Sequence, residues 1–414
     1  MASEKVMMGL DIGSGWIRAV VGSLSKDGQL MVDSLCERPS EGVRNGVVVN
    51  VEQTLNAIRS VIQEAELQAG VEVQTVISGI SGESLACRQS EGVAGITTKG
   101  LEITNSDIYR SLEVARTFEL PADRTIMHTL VQDFTVDGRS GIKDPLDMTG
   151  HRLESRALVV TGSTLNCTNT KKCIQKAGVA NSRLVSSVLA DADIVLSQDE
   201  KEMGTILINI GANCTDMIAY VNGYPVYVGG IDFGSANVTN DIAMVLNKPR
   251  QVAEQLKCEC GCCYTPDVNE KDNVYIPQVS GLPTIELPKR ELCKIIEPRM
   301  AEIYTFLQNQ LADNNIRGPF GAGIVLVGGG ALLSGAADLA GEIFNLQARI
   351  GFPEALPGLD RSYIGPQYTT VLGLLKMEAR KFTAGSGTRG RKNSGSSAKN
   401  GFFHKMGNFF KTVV

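Results

Sequence analysis

The sequence has little of several features that mark particular classes of protein. Among 414 residues it has one tryptophan and 5% aromatic residues, and its three histidines, at 128, 151 and 404, are scattered. No apolar run reaches the roughly 18 residues of a membrane-spanning helix, and the first eight residues lack a signal-peptide core. We therefore expect a chain that is not secreted and does not span a membrane, with no Ser/His/Asp arrangement for nucleophilic catalysis.

The ten cysteines follow no spacing typical of a small disulfide-rich or zinc-binding domain. Four of them fall within the six residues of the segment Cys258-Glu-Cys-Gly-Cys-Cys263. Such a cluster can bind Zn²⁺ or Cu⁺, but the paired CxxC motifs and the histidines of such sites are absent. A loop with free thiols is favoured, and the metal site stays the alternative.

The charge is unevenly distributed along the chain. Its net value is −5, yet after Glu378 there are eight lysines or arginines and no acid, which leaves 32 basic against 45 acidic residues before that point. Only the last part of the chain is therefore expected to be attracted to anionic surfaces, and no nucleic-acid partner is expected. The length suits two or more domains.

Met8–Ser23 is an apolar segment, a small polar turn and a second apolar segment, which predicts two strands joined by a glycine turn. Gly13 and Gly15 bring backbone N–H groups close to a ligand, and Asp11 places a carboxylate beside them. The combination suits a phosphate with its Mg²⁺. By itself it is equally consistent with an ordinary hairpin.

A second copy of this pattern strengthens the phosphate interpretation. Thr205–Tyr220 again has an apolar strand, a polar turn and an apolar return. Two such hairpins predict two similar lobes that face each other across a cleft. A third element, residues 324–333, is a buried strand that runs into three glycines, Gly328 to Gly330, whose backbone a nucleotide can approach closely.

These three elements resemble the actin and Hsp70 ATPase superfamily and, within it, the FtsA family of bacterial division proteins. The resemblance extends to segments that other actin-like proteins lack: Gly141–Gly150, Ile295–Arg299 and residues 401–414. It implies an α/β fold that is actin-like (ribonuclease H-like) and two-lobed, with an inserted subdomain called IC and a C-terminal amphipathic helix. It also implies ATP and Mg²⁺ as cofactors, with Asp11 next to the metal. The nucleotide-binding residues implied are Asp11, Gly13, Ser14, Gly15, Trp16, Asn209, Gly211, Ala212, Asn213, Cys214, Thr215, Glu254, Lys257, Gly328, Gly329 and Gly330.

Two of these residues rest on the resemblance alone. Glu254 and Lys257 lie in a segment with helical spacing, and the family places residues there against the ribose and the adenine. The alternative is that both are solvated helix charges. The resemblance also places connecting helices between the lobes at residues 187–197 and 368–375, where Gly373 lets two helices pass closely.

The implied domain division follows the superfamily. Lobe I has its core (IA) at 1–81 and 157–200, the insert IC at 82–156 and a return at 361–381. Lobe II has its core (IIA) at 201–245 and 319–360 and a subdomain IIB at 246–318. A flexible basic linker follows at 382–400 and a membrane-targeting amphipathic helix at 401–414. In the family IC contributes to polymerisation. An inert surface insertion is the alternative.

The second hairpin departs from the family motif Asp-Ile-Gly-Gly-Gly-Thr-Thr-Asp. Asn209, Ala212, Asn213 and Cys214 replace an Asp, two Gly and a Thr. Asn209 loses the charge that helps hold Mg²⁺ or orient water, and a thiol is a poorer phosphate donor than a hydroxyl. We expect ATP binding with weak or absent hydrolysis.

Two partner surfaces are expected. In the family, IIB receives the acidic C-terminal peptide of the tubulin-like protein FtsZ, so basic residues there are candidate contacts: Lys289, Arg290, Lys294 and Arg299. The tail after the Gly/Ser-rich linker has apolar residues on one helical face and lysines on the rest, which predicts a helix lying in a membrane interface: Phe402, Phe403, Met406, Phe409 and Phe410, with Lys405 and Lys411. Docking of the tail on a protein, or back on the core, is the alternative.

The resulting hypothesis is an actin-like, ATP-binding division protein on the cytoplasmic face of the cell membrane at the division site. It would polymerise with itself, tether the FtsZ ring to an anionic membrane surface as a peripheral protein, and recruit downstream division proteins. The alternatives are an actin-fold sugar kinase and a chaperone-like ATPase. A kinase would have no use for the tail, and a chaperone would need a peptide-binding domain for which 414 residues leave no room.

Overall fold

A computed structural model describes residues 5–386 apart from residues 26, 98–99 and 277–284. The described strands are β1 Lys5–Ile12, β2 Trp16–Leu24, β3 Leu30–Pro39, β4 Val43–Arg44, β5 Val47–Val48, β6 Thr75–Ile80, β7 Ala86–Gly95, β8 Arg124–Val136, β9 Arg139–Ile142, β10 Arg152–Ser163, β11 Asn181–Ser186, β12 Thr205–Ile210, β13 Thr215–Val221, β14 Tyr224–Ile231, β15 Asn273–Ile276, β16 Ile285–Pro288, β17 Ile324–Val327 and β18 Ala348–Ile350. The described α-helices are α1 Val51–Ala69, α2 Asn105–Arg116, α3 Thr164–Lys176, α4 Ser187–Val195, α5 Gln198–Met203, α6 Ser235–Val245, α7 Arg250–Cys260, α8 Lys289–Asp313, α9 Ala336–Phe344 and α10 Thr369–Ser386.

Two five-stranded sheets have the same topology. The first has the strand order β11-β6-β1-β2-β3 and the second β18-β17-β12-β13-β14. In each sheet the first strand pairs antiparallel with the second and parallel with a later strand, β1 with β6 and β12 with β17. The repeated hairpins therefore belong to two lobes with the same sheet topology, as the sequence predicted.

The apolar strand segments explain why these sheets are buried on both faces. The central residues of β1 and β12 are buried, since helices cover both sides of each sheet. Helix α1 lies on one face of the first sheet, and α4 and α10 lie on the other. The polar turns at residues 13–15 and 211–214 follow β1 and β12, so both turns lie at the end of the central strand of a sheet.

The insert forms a separate four-stranded sheet with the order β7-β10-β8-β9. Helix α2 packs on it through three buried residues, Ile108, Leu112 and Ala115. We expected the core of lobe I to resume at residue 157, directly after the insert, and that boundary is wrong. Strand β10 continues through residue 156 and pairs in the insert sheet with β7 as far as residue 161 and with β8 as far as residue 163, with register shifts against β8 after residues 156 and 160.

Helices α4 and α10 cross at a glycine. A Cβ atom on Gly373 would lie under 3.0 Å from the carbonyl oxygen of Ala190, which no real Cβ contact tolerates. Only glycine allows this approach of the two helix backbones. The close helix passage inferred for Gly373 is confirmed, and it joins the segment before β12 to the segment that returns to lobe I.

The end of α10 corrects one boundary. The helix continues to residue 386, so the first five residues of the expected linker 382–400 are helical. The rest of that linker and the tail at 401–414 lie outside the described residues. Among the residues that the structure does describe, no helix combines the length and the apolar character needed to cross a membrane.

Candidate functional site

Both hairpin turns are closed by the same backbone hydrogen bond. The N–H of Gly13 donates to the carbonyl oxygen of Trp16 (3.1 Å), and the N–H of Gly211 donates to that of Cys214 (2.9 Å). A Cβ on either glycine would come within 3.0 Å of the same carbonyl oxygen. Glycine is thus required at the first position of each turn for steric reasons.

The two turns face each other between the lobes. A Cβ on Gly15 would lie 3.0 Å from the Cβ of Ala212, so the glycine turn of lobe I nearly touches the glycine turn of lobe II. The Ser14 hydroxyl accepts a hydrogen bond from the N–H of Gly46 (3.0 Å), which fixes the first turn. Trp16, at the start of β2, is 44% exposed. The structure therefore brings together the glycine and alanine residues that the sequence assigned to opposite sides of a polyphosphate.

The start of α6 supports the second turn. The N–H groups of Ser235 and Ala236 donate to the carbonyl oxygens of Gly211 (2.9 Å) and Ala212 (2.7 Å). Lys257 of α7 donates in turn to the Ser235 carbonyl (3.2 Å). The second turn, α6 and α7 are thereby connected in one polar network.

Lys257 is not a solvated helix charge. Only 8% of the residue is exposed, and its ammonium group also contacts the Thr239 hydroxyl (3.0 Å) and the Glu254 carboxylate (2.9 Å). Burial of the Glu254 carboxylate raises its pKa, but hydrogen bonds from Thr239 and Lys257 outweigh this and leave the pKa below its usual value. Glu254 remains half exposed. The alternative interpretation is excluded for Lys257, which joins α7 to α6.

The three glycines of the loop after β17 differ in their surroundings. Gly328 has φ of +84° and its N–H donates to the Pro366 carbonyl (2.8 Å), while a Cβ on it would collide with the Asn209 side chain. A Cβ on Gly330 would collide with Ile210. A Cβ on Gly329 would meet nothing within 4 Å. Two of the glycines are thus needed for packing, and Gly329 borders open space.

Three aspartates gather where the lobes meet, of which Asp191 and Asp216 are buried and Asp11 is half-buried. Burial raises the pKa of Asp11, partly offset by the Arg18 guanidinium. Burial also raises the pKa of Asp191 to about 6 and that of Asp216 to about 7. Carboxyl groups whose pKa is raised in this way favour a neighbouring cation, because the cation stabilises their ionised form.

Asp216 connects the lobes directly. Its carboxylate accepts a hydrogen bond from the N–H of Gly82 (2.7 Å), and Asp232 accepts one from the N–H of Glu83 (3.1 Å). Cys214 lies in the same seam, with its thiol 3.9 Å from Asp232, and burial raises its pKa. The thiol therefore stays protonated at neutral pH.

Sequence reasoning missed Asp191, Thr369 and Thr370. Asp191 is fully buried in α4, an alanine-rich apolar helix, and it accepts hydrogen bonds from both threonine hydroxyls. The signal available was the pair of aspartates, Asp191 and Asp193, in a mostly apolar segment, because a charged residue there is buried only with partners.

The sequence predicted a metal at Asp11 and, as an alternative to free thiols, one in the cysteine cluster at residues 258–263. Within the described part of the chain, no group of three or more His, Cys, Asp or Glu side chains is arranged to hold a metal ion. Mg²⁺, however, usually takes one or two carboxylates together with waters and phosphates, and Asp11 at the turn fits that role. The thiols of residues 258–263 do not converge: Cys258 is exposed, while Cys262 packs with Cys293 and Cys263 bonds to the Ser334 carbonyl.

Three of the four candidate peptide contacts on α8 form ion pairs within the chain. Arg290 pairs with Glu270 and Lys294 with Glu291, each at 2.8 Å and on the surface. Lys289 is half-buried at the start of the helix. Arg299 differs, since its guanidinium makes two hydrogen bonds to Asp241 of α6, at 2.7 and 3.1 Å. Arg299 therefore links α8 to α6.

Models of two protein families match parts of this sequence. The family described as "Cell division protein FtsA" matches residues 206–373, and the family described as "SHS2 domain inserted in FTSA" matches residues 82–161. The second match covers β7 to β10, the strands of the separate insert sheet.

Solved structures with low sequence identity share the fold. The PilM-PilN type IV pilus biogenesis complex aligns with a TM-score of 0.62 at 17% identity, covering 90% of this chain and 98% of that one. MreB5 of Spiroplasma citri bound to ADP aligns with a TM-score of 0.56 at 14% identity, covering 93% and 99%. The fold is therefore actin-like, with the SHS2 domain as its insert.

Curated relatives match over nearly the whole chain. The cell division protein FtsA of Borreliella burgdorferi is 37% identical over 410 residues, 97% of this chain and 99% of that protein. FtsA of Pseudomonas aeruginosa is 36% identical over 383 residues, 92% and 91% of the two chains. FtsA of Escherichia coli K12 is 29% identical over 379 residues, 90% of each. With this identity and coverage, together with the actin-like lobes and the inserted sheet, the chain belongs to the FtsA family of cell division proteins.

Proposed function

We propose that this chain is an ATP-binding, actin-like division protein that polymerises on the cytoplasmic membrane and tethers the FtsZ ring to it. The observation that carries the nucleotide part is the approach of two glycine-closed turns, one from each lobe, at Gly15 and Ala212. Backbone amides presented from two sides are suited to a polyphosphate. MreB5 of Spiroplasma citri, which shares the fold, is bound to ADP in one solved structure and to AMPPNP in another.

The proposed site uses the residues of both turns, the glycine loop and α7. Asp11 would hold Mg²⁺ together with phosphate oxygens and waters, because a single carboxylate is a sufficient protein contribution for this ion. Lys257 and Glu254 would border the nucleoside, as the resemblance implies. Bound Mg²⁺ would neutralise phosphate charge. Hydrolysis would be weak, since Asn209 brings no carboxylate to orient water.

Gly329→Leu is expected to block ATP without unfolding the protein. The side chain would enter the open space beside the glycine loop, so affinity should fall at least about tenfold, a loss of about 1.4 kcal/mol, while the thermal midpoint stays unchanged. Calorimetric titration with Mg²⁺ and ATP measures the first quantity and thermal denaturation the second.

Gly330→Ala is the matched contrast, because its Cβ would strike Ile210 in the lobe II core and lower the stability. Failure of the unmodified protein to bind any adenine nucleotide at millimolar ligand would refute the proposed site. Unimpaired ATP binding by Gly329→Leu would move the nucleotide away from the glycine loop.

The partner surfaces complete the proposal. Residues 401–414, which lie outside the described residues, would bind an anionic membrane surface, and IIB would bind the acidic FtsZ C-terminal peptide. Copies of the chain would associate into filaments, which multiplies a weak membrane affinity by avidity. Downstream division proteins would then be recruited at the division site.

Charge reversal on α8 is expected to separate binding from folding. Arg290→Glu and Lys294→Glu should each weaken an FtsZ C-terminal peptide several-fold at low salt and less at high salt, because both residues are exposed and screened by ions. Fluorescence anisotropy of the labelled peptide at two salt concentrations measures this.

Arg299→Ala serves as the comparison. Its loss breaks the bidentate pair with Asp241, so we expect a lower thermal midpoint rather than a selective loss of peptide binding. If neither charge reversal weakens peptide binding and the affinity does not depend on salt, the peptide binds elsewhere on the protein.

A further inference from the structure

Asp191 is a buried carboxylate at the meeting point of three segments. Its Oδ2 accepts a hydrogen bond from the amide nitrogen of Asn209 on β12 (2.7 Å). Its Oδ1 accepts hydrogen bonds from the hydroxyls of Thr369 (2.7 Å) and Thr370 (2.9 Å) at the start of α10. Across the described residues, no lysine or arginine pairs with it. The carboxylate is thus fully hydrogen-bonded but has no cationic partner.

The partner of Asp191 is an amide and not a second carboxylate, since the residue at position 209 is Asn209. An aspartate in that position would put two carboxylate oxygens about as close as the 2.7 Å of the present hydrogen bond. Two carboxylates this close cannot both be ionised without a cation between them. An aspartate at 191 and an aspartate at 209 are therefore poorly compatible, and the pair Asn209–Asp191 keeps one carboxylate.

The position of this carboxylate relates it to the cleft. Asn209 is the last residue but one of β12, the strand that leads into the second turn, and its side chain lies against Gly328 of the glycine loop. The negative charge of Asp11, at the first turn, acts on Asp191. Asp191 therefore lies near the two turns, on the helix that precedes lobe II. Burial of an unpaired carboxylate is costly, and an approaching cation would compensate for that cost.

We propose that Asp191 supplies the negative charge that the second turn lacks, and acts as a positioning residue for Mg²⁺ and ATP, with Asn209 as its amide partner. This inference rests on the proposed ATP site. Asp191 acts through Asn209 and through its charge, because Asn209 and the threonines already occupy its oxygens. Since Thr369 and Thr370 begin α10, the same network also connects the site to the two helices that cross at Gly373.

The test is an exchange of the two side chains. The variants are Asp191→Asn, Asn209→Asp and the double variant, with Asp199→Asn on the exposed face of α5 as a charge-matched control. ATP affinity is measured by calorimetry with excess Mg²⁺ and with EDTA. The ratio of the dissociation constant in EDTA to the dissociation constant with Mg²⁺ reports how much the metal strengthens ATP binding. This ratio does not depend on hydrolysis.

Asp191→Asn is expected to lower this ratio about tenfold, as for residues that support a metal site without ligating it. Binding in EDTA should change little. The double variant should restore the ratio to within about threefold of the unmodified protein, since the carboxylate and its amide partner are both present again. Asp199→Asn should leave the ratio unaltered.

Asn209→Asp gives a readout without nucleotide. Two facing carboxylates should lower the thermal midpoint in EDTA, and Mg²⁺ should raise it more than in the unmodified protein. An equal response to Mg²⁺ in both proteins would count against the proposal.

Two outcomes would overturn the inference outright. One is an unchanged ratio in Asp191→Asn, which would make Asp191 a structural residue only. The other is a double variant whose ratio stays about tenfold below that of the unmodified protein, and this comparison decides alone if the single variant does not fold. If the unmodified protein binds no ATP in the presence of Mg²⁺, the proposed function itself fails and this inference falls with it. Normal binding with an unchanged ratio removes only the role of Asp191.

Discussion

Replacing Gly373 with alanine is expected to destabilise the protein by about 1–2 kcal/mol. Two effects oppose each other. Alanine stabilises a helix by about 1 kcal/mol relative to glycine, whereas overpacking costs about 1–3 kcal/mol and sometimes more. Overpacking should prevail here, because the added Cβ would strike the backbone carbonyl of Ala190, which cannot rotate away as a side chain does. Helices α4 and α10 would have to separate.

The measurement is the urea midpoint of Gly373→Ala against the unmodified protein. Gly95→Ala is the control, since a Cβ on Gly95 would meet nothing within 4 Å. Because α4 also carries Asp191, the affinity for ATP should fall together with the stability. An alanine variant as stable as the unmodified protein would show that the helices can separate without loss.

Phe409→Glu is expected to reduce binding to anionic vesicles by about 100-fold. Burying a phenylalanine contributes about 1.5–3 kcal/mol, and a carboxylate next to an anionic surface adds about 1 kcal/mol of repulsion. Each 1.4 kcal/mol corresponds to about a factor of ten. Flotation of the full-length protein with vesicles that contain anionic lipid measures the loss.

Lys405→Ala is the matched variant in the same tail. It removes one charge worth about 1 kcal/mol near the surface, so binding should fall only about fivefold. Circular dichroism of a peptide of residues 401–414 should show a gain of helix on anionic lipid, because so short a helix with two glycines is marginal in water. Full vesicle binding by Phe409→Glu would favour docking of the tail on a protein instead.

The local pattern of the chain was sufficient to predict the two-lobed fold. Apolar strands on either side of a glycine turn can form only a tight hairpin, and a second copy implies a second lobe. The resemblance then supplied the insert and the family. Where local pattern was ambiguous, the prediction was wrong: residues 157–162 are a strand, but sequence does not say which sheet a strand joins, and long-range pairing with β7 and β8 decided it.

The residues of the site divide in the same way. The sequence determined the glycines of both turns and Gly328, because their backbone geometry is a local property of the turn or loop. It could not determine that Lys257 is buried or that Asp191 faces Asn209, since these contacts join segments far apart in the chain. A charged side chain has the same local pattern whether it is solvated or buried. Only the packing of α4, α7 and α10 against the lobes, which fixes burial and hydrogen-bond partners, decided their roles.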